Sequence, residues 1–189
     1  IKDEKGFLST KAELLSVIAR CHLALGRTNE AEQELHNAQN QLTGNLDLGL
    51  QAKFNRYKAE LFTFRGQYGL ALNALNIGIS LARQAEDKRE EMKGLLATGE
   101  NFLLIGNLVA AMLNFDEALR LAENINNPPD MVIAQLFRVR VLIAQEKRSS
   151  FVKALEILKS INEIALKLEL KRIKANVFDY FAQLFFNLK

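Results

Sequence analysis

Cys21, His22 and His36 are the residues of this sequence whose types best suit metal or nucleophile chemistry. A structural zinc site takes about four ligands, and one thiol with two imidazoles falls short. A Cys–His nucleophile pair needs its two groups to face each other, whereas Cys21 and His22 are neighbours on a helical stretch and diverge. His22 sits in an apolar slot and reads as a satisfied interior histidine. Gly44 and Gly49 in "GNLDLG" have the glycine spacing of a phosphate loop, but Leu50-Gln51 follows in place of Lys-Ser/Thr and no strand precedes. Gly99 and Gly106 in "LLATGENFLLIGN" lack that spacing. The carboxylates Glu30, Glu32, Glu34, Glu90 and Glu91 read as exposed helix faces and caps. None interrupts an apolar run in the way that would raise its pKa. These residues predict a chain that is not an enzyme and holds no metal and no cofactor.

The elements that carry them read as helices. The chain has 189 residues, 49% hydrophobic and 25% charged, enough to bury a sizeable core and stay soluble. Its two prolines are adjacent, at 128 and 129, and it has no tryptophan. Alanine, leucine, glutamate, lysine and glutamine together make up much of the chain, which favours helix. Lys plus Arg number 25 against 22 for Asp plus Glu, a net charge of +3. That balance lacks the basic stripe of a dedicated nucleic-acid binder. The one basic cluster, "KLELKRIK" at 167–174, reads as a solvated turn and helix start. A single cysteine suits a reducing compartment. With no basic-apolar leader and no apolar run approaching the length of a membrane span, a cytoplasmic location without membrane contact is expected. The first residue is Ile1 and not methionine, so a fragment of a longer protein is expected.

A period of forty organises the chain. Gly26, Gly66 and Gly106 each close an apolar helical run. Ala31, Ala71 and Ala111 follow each glycine by five, then Leu35, Leu75 and Phe115, then Ala38, Gly78 and Ala118. A fourth copy fits after a three-residue insertion near "EKRSS", with Ala154, Leu158 and Ile161 in the same slots. A half-copy with Ala182 and Phe185 ends the series. Each unit reads as helix, tight turn, helix, about nine helices in all. Asp87 with Glu90, and Asn29 with Glu32, have capping-box spacing. Pro128 suits a first helical turn. The glycines at 26, 66 and 106 suit left-handed helix ends, while Gly99, in the slot of Ala19 and Ala59, suits a close helix contact. The units are 10–46, 47–86, 87–126 and 127–169, with a terminal half-unit at 170–189.

Ala19-His22-Gly26-Ala31-Leu35-Ala38, Ala59-Phe62-Gly66-Ala71-Leu75-Gly78 and Gly99-Phe102-Gly106-Ala111-Phe115-Ala118 resemble the tetratricopeptide repeat. The common repeat has a 34-residue period. The longer period resembles the branch found in Pins-type proteins, kinesin light chains and the helical domains of large bacterial signal-transduction regulators. The fourth unit departs from the pattern, with Val139 at the small slot and Glu146 in place of glycine. The resemblance implies an all-α, right-handed superhelix of antiparallel helix pairs whose first helices line a concave groove.

By repeat position the groove residues would be Glu13, Val17, Arg20, Leu23 and Ala24, then Lys53, Arg56, Tyr57, Glu60 and Phe64. They continue with Lys93, Ala97, Glu100, Leu103 and Leu104, then Ile133, Phe137, Arg140 and Ile143. Tyr57, Phe64 and Phe137 would anchor apolar side chains, and Arg20, Lys53, Arg56, Lys93 and Arg140 would take carboxylates. Taken singly, each reads as the solvated face of a stacked helix. Glu60 and Glu100 stand where the family's carboxylate clamp has asparagine, so that clamp is not expected.

The terminal "VFDYFAQLFFNL" (177–188) holds four of the twelve phenylalanines. Phe178, Phe181 and Phe185 are expected to pack on the fourth unit, leaving Tyr180, Leu184 and Phe186 facing away, for self-association or continuation of the array. The function implied is a protein- or peptide-binding scaffold within a larger protein. The alternative is an effector-sensing helical domain of a bacterial signal-transduction or transcription regulator. An RNA-binding helical array ranks third, because Glu13, Glu60 and Glu100 interrupt any basic track.

Overall fold

The computed structural model describes residues 2–42, 47–169 and 171–187. Gly44, half of the glycine pair tested above, lies outside the described residues. Among them are nine α-helices and no strand: α1 (Lys2–Ala24), α2 (Thr28–Leu42), α3 (Leu48–Phe64), α4 (Tyr68–Gln84), α5 (Lys88–Ile105), α6 (Leu108–Ile125), α7 (Pro128–Ala144), α8 (Arg148–Lys167) and α9 (Lys171–Asn187). The expected all-α array of antiparallel helix pairs is what forms. The helices group into two compact units, Ile1–Asn101 and Phe102–Lys189, divided within α5.

The turns inside the pairs are set by the periodic glycines. Gly26, Gly66 and Gly106 have φ of +73°, +70° and +86°. Each is followed by a backbone N–H that reaches back to the last helical turn: Arg27 to the His22 carbonyl, Gln67 to Phe62, and Asn107 to Phe102, at 2.8–2.9 Å. That pattern satisfies carbonyls the helix end would otherwise orphan. Glu146, one further period on, takes the same left-handed conformation at φ +52°. A side chain there is strained by roughly 1–2 kcal/mol, partly offset by the greater freedom of glycine in the unfolded chain. Glu146→Gly is therefore expected to raise stability by about 0.5–1 kcal/mol, read as a higher urea midpoint with an unchanged slope. An unchanged or lower midpoint would mean that Glu146 has a compensating contact.

Helix starts follow the caps. Asp47 accepts from the Leu50 N–H at 3.0 Å, Asp87 from Glu90 at 2.9 Å and Asn107 from Ala110 at 3.1 Å. Pro128 is the first residue of α7, as its fixed φ favours. α2 begins at Thr28, one residue before the expected Asn29. Glu32, read as a cap partner, instead pairs with Arg65 at 2.9 Å. Arg65 holds the Glu32 carboxyl below its ordinary pKa through this hydrogen bond and its charge.

In the first unit α1, α2 and α3 pack together over a core that includes Ala19, Ala31, Leu35, Phe54, Tyr57 and Leu61, and α4 packs on α3 around Ala59, Ala71, Ala74 and Leu75. Small residues let the helices approach closely. A Cβ on Gly78 of α4 would lie 3.1 Å from the Ala52 carbonyl oxygen and 3.3 Å from the Asn55 Cβ of α3. In the second unit α7 packs on α6, α8 and α9, around Val132, Val139, Leu158, Ile161, Val177 and Leu184.

The extra three residues of the fourth repeat lie inside α8. Left-handed residues at the ends of α4, α6 and α8 are Glu86, Asn126 and Glu169, spaced by 40 and then 43. α8 has 20 residues against 17 in α4. Three residues make nearly one helical turn, so Ala154, Leu158, Ile161 and Ala165 still share a buried face, and Phe151 fills the added turn.

The terminal helix differs from expectation. Among its described side chains Val177 and Leu184 are fully buried, and Tyr180 and Phe181 pack partly against the same core. Phe178 is 59% exposed, and Phe186 is also exposed. The side chain of Phe185 lies outside the described residues.

Candidate functional site

Equivalent positions of the first helices recur once per repeat. Glu13, Lys53, Lys93 and Ile133 form one slot; Val17, Tyr57, Ala97 and Phe137 a second; Arg20, Glu60, Glu100 and Arg140 a third. In the first two repeats, slots occupied by opposite charges pair with each other.

In the first unit Lys53 Nζ donates to Glu13 Oε1 at 3.0 Å, and Arg20 Nε to Glu60 Oε2 at 2.9 Å. Arg56 donates through Nη1 to Glu60 at 3.0 Å, and through Nε and Nη2 to the two carboxylate oxygens of Glu90. Lys93 Nζ approaches Glu90 Oε2 at 3.6 Å. The Glu13 carboxylate raises the pKa of the Lys53 ammonium above its ordinary value, more than its partial burial lowers it. Burial would weaken the charge on Arg56, but the Glu90 hydrogen bonds and charge outweigh it and raise its pKa.

Three expectations change here. Tyr57 is 7% exposed and lies in the core, with the Arg56 guanidinium 4.5 Å and the Arg20 guanidinium 5.1 Å from its ring centre. It is a platform for two cations, not an open anchor. Glu90 is 3% exposed, a buried carboxylate and not an exposed cap. Leu23 is also buried in the core. The remaining sequence-designated residues of this unit, Arg20, Lys53, Glu60, Phe64, Lys93 and Glu100, are half-buried or exposed, Phe64 being 57% exposed. The charged face of this unit is thus largely neutralised by its own side chains.

In the second unit, Phe137 occupies the slot of Tyr57. Its ring packs 5.1 Å from that of buried Phe115, and the Arg140 guanidinium lies 5.1 Å from its centre. Leu136 stands where Arg56 does in the earlier repeat, so the second guanidinium is replaced by an apolar wall. The result is a cleft of about 750 Å³ between α7 and the start of α9, lined by Ile133, Leu136, Phe137, Arg140, Glu169, Lys171, Ile173, Asn176 and Tyr180. Arg140 and Phe137 were legible from repeat position. The α9 wall was not, because Tyr180 reads as facing away.

Cys21 and His36 are exposed. His22 is half-buried, and its Nδ1 has no hydrogen-bond partner among the described residues, so it is not the satisfied interior histidine expected. No group of three or more potential metal ligands occurs among the described residues. No described helix is long and apolar enough to cross a membrane.

No family model and no curated protein matches the sequence. Solved structures do. A Signal Transduction ATPase with Numerous Domains (STAND) protein with a tetratricopeptide repeat sensor, from Pyrococcus horikoshii, superimposes with a TM-score of 0.77 at 18% identity over 92% of this chain. The chain spans only 26% of that protein's length. A Podosopora anserina putative kinesin light chain with nearly identical TPR-like repeats superimposes with a TM-score of 0.68 at 13% identity, over 95% of this chain and 96% of its own. A second structure of that protein matches at 0.68 and 14%, over 93% and 88%. Periodic small residues, left-handed turn glycines and these superpositions agree: the chain has the tetratricopeptide-like helical-repeat fold.

Proposed function

We propose that this chain is a protein- or peptide-binding helical-repeat module, cytoplasmic, non-catalytic and part of a larger protein. The observation that carries the reading is the α7–α9 cleft, where Phe137 and Arg140 form an apolar floor with a cation beside it. Aromatic and arginine side chains in a pocket are the usual anchors of protein recognition. In the first unit the equivalent surface is engaged in its own ion pairs, so a partner there must displace them. A partner segment is expected to seat an apolar side chain in the cleft, as peptides do in helical grooves.

Selection from a displayed random-peptide library tests this. Asn176 is exposed and lines the cleft, so Asn176→Trp should obstruct it without disturbing the core. Convergent peptides that lose about tenfold in affinity on Asn176→Trp, near 1.4 kcal/mol, support the reading. No convergent peptides, or peptides indifferent to the substitution, would sink it.

A second reading, an effector-sensing domain of a signal-transduction or transcription regulator, is favoured by the superposition on the tetratricopeptide repeat sensor of the STAND protein. The identity of domains flanking the chain in its parent gene would separate the two: a nucleotide- or DNA-binding domain supports the sensor, further repeats the scaffold.

A further inference from the structure

One face of α9 differs from the equivalent faces of the other first helices. α9 repeats the slots of α3: Val177 stands at the slot of Phe54, Ala182 at that of Ala59 and Leu184 at that of Leu61. Val177 and Leu184 are buried, as Phe54 and Leu61 are in α3, so α9 sits in the register of a first helix. The slots of Ala52 and Ala59 behave differently. They hold Ala12 and Ala19 in α1, Met92 and Gly99 in α5, and Val132 and Val139 in α7, and all of these are buried. In α9 the same slots hold Ala175 and Ala182, and both are exposed. Between them stands Phe178, in the slot of Leu95. Leu95 is buried in α5, whereas Phe178 is exposed.

The complete repeats show what covers these slots. In α3 it is α4: Ala59 packs with Ala71, Ala74 and Leu75, and Gly78 passes close to Ala52 and Asn55. In α1 it is α2, whose Ala31, Leu35 and Ala38 share a core with Ala12 and Ala19. In α7 it is α8, whose Leu158 and Ile161 join Val132 and Val139. The covering stripe in α2, α4 and α6 reads small, large, small: Ala31-Leu35-Ala38, Ala71-Leu75-Gly78 and Ala111-Phe115-Ala118, all buried. The small residues let two backbones approach, and the large one fills the space between them. Among the described residues no such helix follows α9. The chain's own second helices are already packed within it, α2 on α1, α4 on α3, and α6 and α8 on α7.

We propose that the Ala175–Phe178–Ala182 face of α9 docks an amphipathic helix of a partner protein, antiparallel to α9 and carrying the Ala-x3-Leu/Phe-x2-Ala/Gly stripe of a second helix. The surface continues the helix-on-helix interfaces of the complete repeats, and apolar stripes of this kind are a common mode of helix recognition. It uses other residues of α9 than the α7–α9 cleft does and does not depend on that cleft.

A synthetic peptide of residues 107–127, which is α6 with both of its caps, carries the stripe and serves as the probe. Labelled and titrated with the full chain, it is expected to bind saturably at one site. Ala182→Arg and Phe178→Asp alter exposed positions and should fold. Each should weaken the peptide about tenfold or more, because each places a charge beneath it. The peptide carrying Phe115→Asp should bind as weakly, and Asn176→Trp in the chain should leave the affinity unchanged. Absence of saturable binding would overturn the proposal. So would binding indifferent to Ala182→Arg and Phe178→Asp, which would mean that the peptide exchanges for α6 inside the array. A concentration-dependent dimer in sedimentation that Ala182→Arg abolishes would also overturn it, since a second copy would then occupy the face. If circular dichroism shows that Phe178→Asp does not fold, Ala182→Arg alone decides. Failure here leaves the cleft reading standing, and failure of the peptide selection at the cleft leaves this one, because Ala182→Arg and Asn176→Trp report on different faces.

Discussion

Arg56→Met is expected to lower the stability of the first unit by about 3–5 kcal/mol, the usual effect of breaking a buried ion pair by removing one partner. The methionine side chain fills similar space, so the loss is mainly electrostatic. Glu90 is buried in α5 and receives both Nε and Nη2 of Arg56. Lys93, half-buried and at 3.6 Å, is too distant to replace them. Without Arg56, the buried Glu90 carboxylate loses both guanidinium hydrogen bonds, and an unpaired buried carboxylate costs stability. Replacing both partners by apolar residues removes the orphaned charge, so Arg56→Met with Glu90→Leu should regain most of the loss. Urea unfolding of the single and double variants measures the difference. A single variant as stable as the parent would show that Glu90 is rehydrated in solution. A double variant no better than the single would show that Arg56 acts through its packing on Tyr57.

Phe115→Ala should cost a comparable loss of about 3–5 kcal/mol, as large-to-small changes at fully buried aromatic sites do. Phe115 is 0% exposed and lies in α6 beneath Phe137. This change reaches further than its energy. It removes the support of the ring that floors the α7–α9 cleft without altering any cleft-lining residue. Phe137 should gain rotamer freedom, and affinity for the peptides selected on this cleft should fall although every cleft-lining residue is intact. Phe115→Leu preserves more of the support and should lie between parent and Phe115→Ala in both measurements. If Phe115→Ala loses stability but binds those peptides as the parent does, Phe137 is fixed by other neighbours.

The repeat was legible because its slots recur: a small residue where helices approach and a glycine where the chain turns look alike in each copy. Gly26, Gly66 and Gly106 therefore reveal their conformation in the sequence. Glu146 adopts the same conformation with no residue-type signal, and only its position one full period after Gly106 marks it. The pair Arg56–Glu90 was hidden for a related reason. Its partners are 34 residues apart, off the period, and Glu90 also fits the third place of a capping box, whose Asp87 half does form. In α9 bulk is a poor guide. Val177 and Leu184, two helical turns apart and thus on one face, are buried, while larger Phe178 is exposed. The cleft was half legible, since α7 repeats an earlier slot whereas the α9 wall has only half a repeat from which to infer it.

The inversion of charge between Glu13 and Lys53, and between Arg20 and Glu60, makes the first two repeats non-interchangeable. Two identical copies in tandem would set like charge against like charge at each pairing position. At these two slots the first repeat consequently pairs worse with a copy of itself than with the second, which disfavours slippage or swapping that would set two first repeats side by side.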